Sequence, residues 1–147
     1  MRKCFGLIAT VLILSLAIAP GAWSADQINI GFDIPLTGDN PDVGASSKNS
    51  AEMYLKNTPT IDVGGKTYAL NFIYEDNEYK AESAVKAMTK LITVDNVLGV
   101  VGPQSSSHAV TAGEVDNNNA TPMISPWSTN PDTTKDRPFV FRGCFLD

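Results

Sequence analysis

Ser105, Ser106 and Ser107 stand directly after an apolar run at residues 97–101 and the turn Gly102-Pro103. A helix opening on them would leave backbone N–H groups and a positive dipole end facing outward, which suits a carboxylate or phosphate. The same serines have a plainer use, because a serine oxygen at a helix start caps it without any ligand. The two uses are compatible. A second polar stretch, Trp127, Ser128 and Thr129, follows a short β-prone segment and precedes Asn130-Pro131. Its small residues suit a turn, and an aromatic in a strand-end loop suits the wall of a ligand pocket.

Other chemistries fit less well. Ser106, His108 and Asp33 have the residue types of a hydrolase triad, but the Gly-x-Ser-x-Gly elbow is missing and His108 is the sole histidine. Two positions along the same helix start, its ring points away from Ser106. No catalytic residue is assigned. Gly65-Lys66-Thr67 mimics the tail of a phosphate-binding loop, yet Thr60 stands where the earlier glycine belongs. It reads as hairpin chemistry. One histidine, two cysteines and scattered acids give no metal-ligand spacing, so neither metal nor cofactor is expected.

Residues 1–24 read as a secretory signal peptide: Arg2 and Lys3, an apolar run at 5–19, then Pro20-Gly21-Ala22-Trp23-Ser24 before the cut. The run is shorter than the roughly 20 residues a membrane-spanning helix needs, so no stable insertion is expected after cleavage. The whole chain holds 11 Lys and Arg against 16 Asp and Glu. Losing Arg2 and Lys3 deepens that acidic excess, which argues against nucleic acid and anionic lipid as partners. Cys4 goes with the leader, Cys144 has no mate, and an ordinary core must hold the fold. The expected location is the periplasm, in soluble form.

The elements that must position the two polar stretches follow from periodicity. Ile28, Ile30 and Phe32 alternate over 27–34, a strand. Residues 35–44 are turn-rich and a helix is expected over 45–57. Gly64-Gly65 predicts a hairpin into a strand near 70–74. Ala81, Ala84, Val85, Met88, Leu91 and Ile92 mark one face of a helix over 80–93. Residues 97–101 read as a strand buried on both faces, 106–118 as a weaker helix leaving through a left-handed asparagine. Short strands are expected at 122–126 and 139–145. Strand and helix alternate, so the class is α/β, a mostly parallel doubly wound sheet in three layers. Such a sheet binds ligands at its strand carboxyl ends, where both polar stretches fall. The chain stops directly after a strand, which reads as a truncation that leaves an apolar sheet face bare.

IGFDIPLTGDNPDVG, IYEDNEYKAESAVKAMTKLI, VVGPQSSS, TPMISPWSTNP and FVFRGCFLD, in this order, resemble the start of the branched-chain amino-acid-binding (leucine-binding-like) proteins of ABC importers. These are type I periplasmic binding proteins. The resemblance implies that residues 25–147 form part of an N-terminal lobe and that a small ligand is closed between two lobes. An inner-membrane permease would receive it. It further implies that Ser106, or Ser105 one residue earlier, and Trp127, Ser128 and Thr129 hold an amino acid's carboxylate and ammonium. Trp127 and Ser128 would act mainly through backbone groups, and Thr129 through its hydroxyl. Trp127 stands where the family has a small residue, which would either shrink the pocket or favour a flatter ligand, and a cysteine pair of some members is absent around Glu78 and Gln104. The alternatives are a ligand-sensing module of the same fold and, further off, an exported α/β hydrolase.

Overall fold

The computed structural model describes residues 26–147, so the leader expected at residues 1–24 lies outside the described residues. The order is β1 (Gln27–Ile34), α1 (Pro41–Asn57), β2 (Thr60–Val63), β3 (Lys66–Asp76), α2 (Ala81–Thr93), β4 (Gly99–Val101), α3 (Ser106–Asn118), β5 (Met123–Ser125), a 3-10 turn (Pro131–Thr133) and β6 (Val140–Arg142). One sheet runs β2-β3-β1-β4-β5-β6, parallel except for the β2–β3 hairpin. The α/β class and mostly parallel doubly wound sheet are as expected.

The alternation of β1 divides the core. Ile30, Phe32 and Ile34 meet Ala51 of α1 together with Phe72, Tyr74 and Val101. Phe32 lies 5.0 Å from Phe72 and 5.1 Å from Tyr74 between ring centroids. On the opposite face α2 and α3 pack through Ala84, Met88, Leu91, Ala109 and Ala112 onto Val100, Met123 and Val140. Burying Met88 and Leu91 alone stabilises by about 1.5–3 kcal/mol each. Gly31 makes room for α2, since a Cβ there would come within 3.0 Å of Leu91.

Several local details differ from the sequence reading. Helix α1 starts at Pro41 rather than at residue 45, because a proline in the first turn gives up an N–H that has no partner anyway. Leu98 is 64% exposed while Val97 and Val100 are buried, so the apolar run is not covered on both faces along its length. The left-handed residue after α3 is Ala120 at φ 52°, not an asparagine. Asn119 keeps φ −97° and donates from its side chain to the Val115 carbonyl at 2.8 Å. The glycine hairpin forms as expected, with Gly64 and Gly65 both at positive φ. Ile124 and Phe141 on the outer side of β5 and β6 are 44% and 52% exposed. Helix α1 does not reach them.

The carboxyl ends of β1 and β3 are tied by one side chain. Asp76 accepts from the N–H of Leu36 at 2.8 Å, of Thr37 at 3.1 Å and of Glu78 at 2.9 Å, and from the Thr37 hydroxyl at 2.5 Å. Burial pushes its pKa up, but these donors outweigh that and hold it below the ordinary carboxylate value. Gly38, at φ 82°, lets the β1 loop lie on Glu78, whose carbonyl a Cβ would meet at 2.1 Å. Removing Asp76 should therefore loosen both loops. Asp76→Ala is expected to cost about 2–3 kcal/mol in urea unfolding at pH 7, and an unchanged midpoint would contradict the clamp.

Two other acids have no cation beside them. Burial raises Asp33 well above its ordinary value against the opposing bond from Asn77, and burial pushes Asp116 up to about 8. A raised acid binds its proton more tightly in the folded state, so the stability it adds at low pH is lost as pH rises, for Asp116 between about 4 and about 8. Asp116→Asn removes the share of that slope that Asp116 contributes. The variant is expected to melt higher than the parent at pH 8 and with it at pH 4, in thermal scans across the range; parallel pH profiles would rule the account out.

Candidate functional site

The walls of the candidate site are set by strand ends and the loops that follow them. The hollow at the carboxyl edge measures ≈ 540 Å³. Ser105, Ser106 and Ser107 at the start of α3 form one wall, and Asn40 and Val43 at the start of α1 another. Tyr79 enters from the loop after β3, Trp127 from the loop after β5, and Gln104 from the turn after β4. The β4 turn can come this close because Gly102, at φ 109°, has no Cβ; one would meet the Asp33 carbonyl at 2.2 Å.

The serines do not cap their helix. Ser105 is the N-cap residue, but no side chain accepts from the N–H groups of the first turn. Its hydroxyl instead meets that of Ser107 at 3.2 Å. The plain capping use read from the sequence is therefore not the one seen. Open N–H groups and a helix dipole face a cavity whose lining residues carry no charge. Gln104 is 4% exposed, donates to the Ser47 hydroxyl at 2.6 Å, and leaves its Oε1 without a partner. The open N–H groups suit a small anion, while the Gln104 oxygen, an acceptor, suits a donor.

Tyr79 is positioned under strain. Glu78 and Tyr79 have φ 51° and 57°, a region that residues with side chains seldom adopt. The Tyr79 N–H donates to Asn77 Oδ1 at 3.0 Å, and its ring meets His108 edge-on at 4.9 Å. Asn77 in turn donates to buried Asp33 at 2.8 Å. His108 is buried, which lowers its pKa. Asp33 is thus held by Asn77, and His108 packs on Tyr79, so two of the three triad residues are engaged in structure and do not face Ser106.

Of the five residues expected to bind ligand, Ser105, Ser106 and Trp127 line this cavity. Ser128 is wholly buried beside it, its hydroxyl against that of Thr133, its carbonyl accepting from the Cys144 thiol at 3.2 Å. The Thr129 hydroxyl donates to Asp147 at 2.6 Å. Arg142 supports the loop from below, donating to the carbonyls of Thr129 at 3.3 Å and Asn130 at 2.8 Å. Asn40, Val43, Tyr79 and Gln104 escaped the sequence reading. The rule that ligands sit beyond strand carboxyl ends pointed at the loops after β1 and β3, but only packing shows which side chain turns inward.

A second hollow of ≈ 570 Å³ is lined mostly by Phe32, Phe72, Leu70, Tyr54 and other residues of the α1 layer. It is the edge of that hydrophobic layer and offers few polar groups for recognition. Among the described residues no group of three or more His, Cys, Asp or Glu is placed to hold a metal ion. No helix among them is long and apolar enough to cross a membrane.

The comparisons agree with the fold. The family model for periplasmic binding proteins matches residues 27–143. The Leu/Ile/Val-binding protein BraC3 of Rhizobium johnstonii is 32% identical over 87% of this chain and 34% of its own length. A leucine-binding protein, LivK of Thermotoga maritima, superposes with TM-score 0.75 at 28% identity over 82% of this chain and 33% of that one. The branched-chain amino-acid transporter substrate-binding protein LivJ of Streptococcus pneumoniae, solved with isoleucine, gives TM-score 0.73 at 27% identity over 82% and 34%. This chain spans about a third of the length of these relatives. With the matched region running from the first strand of the sheet to just past its last, the chain belongs to the periplasmic binding protein family.

Proposed function

We propose that the protein is the extracytoplasmic solute-binding component of an ABC importer. Its ligand is an amino acid of the branched-chain type or a related small acid, closed between this lobe and a second one. The observation that carries the reading is the open start of α3 over the cavity. The relatives named for leucine, isoleucine and valine support the ligand class. In this reading Ser106 meets the carboxylate and Thr129 the ammonium, as the family resemblance implies. Residues 1–24 would direct the protein to the periplasm, and an inner-membrane permease would receive the loaded form.

No chemistry is needed in this role. A ligand that touches both lobes stabilises the closed state in proportion to its extra contacts there. The test uses the complete gene product without its leader. Isothermal titration with leucine, isoleucine, valine and simple carboxylates should give saturable binding by at least one, and small-angle scattering should show compaction on its addition. Ser106→Pro, which removes one N–H at a position that tolerates proline, should weaken binding by about tenfold. Absence of binding across the panel would sink the proposal.

A further inference from the structure

The cavity's two aromatics narrow the ligand class. Trp127 is 57% exposed although it is the largest side chain on this edge. Its loop is fixed from below by Arg142 and by the buried Ser128, so the exposure is built in rather than the result of a slack segment. Tyr79 lines the same cavity on a backbone held in the left-handed region. A strained non-glycine residue of this kind persists only where the surroundings impose it. Here the surroundings are Asp76, Asn77 and the ring of His108.

The polar end is equally selective. The α3 start offers donors, and no Asp or Glu lines the cavity to meet an ammonium. In this cavity a carboxylate meets backbone donors, whereas an ammonium meets only neutral oxygens, those of Gln104 and the serines. We infer, resting on the solute-binding reading above, that the ligand is a planar aromatic carboxylate of the benzoate type. Its carboxylate lies on the N–H groups of Ser106 and Ser107, and its ring lies against Trp127 and Tyr79. Aromatic contacts of this kind add to simple apolar burial, and a flat ring gains them where a branched aliphatic chain does not.

The complete gene product without its leader is titrated calorimetrically with benzoate, cyclohexanecarboxylate and L-leucine. Benzoate should bind at least about tenfold tighter than either of the others, since only it combines a carboxylate with a flat ring. Trp127→Ser should weaken benzoate by about tenfold or more, while Trp127→Phe keeps most of the affinity. Tyr79→Leu should weaken it less than Trp127→Ser but in the same direction. Tight leucine binding with no benzoate binding overturns the inference and leaves the solute-binding reading standing. Benzoate affinity untouched by Trp127→Ser overturns the ring placement. No binding by any of the three removes the inference, and silence across the wider amino-acid and carboxylate panel removes the solute-binding reading as well.

Discussion

A single carboxylate, that of Asp76, joins the two loops on which the candidate site depends. It collects four hydrogen bonds from Leu36, Thr37 and Glu78 across the carboxyl ends of β1 and β3. Bonds to an ionised acceptor are stronger than neutral ones, and here they replace the regular pairing that both strands lose at their ends. From that point the chain of positioning is short. Asp76 sets Glu78, Asn77 orients Tyr79, and Tyr79 rests on His108 at the start of α3. The loop after β3 and the first turn of α3 are therefore one rigid wall.

That wall frames an unmet demand. Every helix begins with N–H groups that have no partner within it, and folded proteins answer them with a cap, with water or with a ligand. Helix α3 begins with three serines and uses none of them as a cap. The hydroxyls of Ser105 and Ser107 face each other instead, and Gln104 keeps one buried oxygen unpaired. Uncharged lining keeps the dipole of α3 as the main local field, so an anion is favoured without a lysine or arginine in contact.

How much of this was legible beforehand divides along a physical line. The bounds of α3 and the class of the sheet follow from periodicity and turn chemistry, which are local. So does the glycine hairpin, because two adjacent positive-φ residues are a backbone requirement that side chains cannot hide. The exposure of Leu98 depends on where β4 pairs with its neighbours, which no window of sequence contains. Tyr79 meets His108 from a different loop, and the contact exists only after the sheet has formed. The serine run was ambiguous for a different reason. The same hydroxyls serve a cap or leave room for a ligand, and only the observed geometry shows that they do not cap.

The central claim is that the first turn of α3 receives the ligand's carboxylate. Nuclear magnetic resonance of the complete gene product, labelled with nitrogen-15, tests it at the atoms concerned. On titration with a carboxylate ligand that binds calorimetrically, the amides of Ser106 and Ser107 should shift saturably to lower field. Those of Glu82 and Ser83, at the start of α2, should stay in place. Saturable binding that leaves the Ser106 and Ser107 amides unmoved would contradict the account.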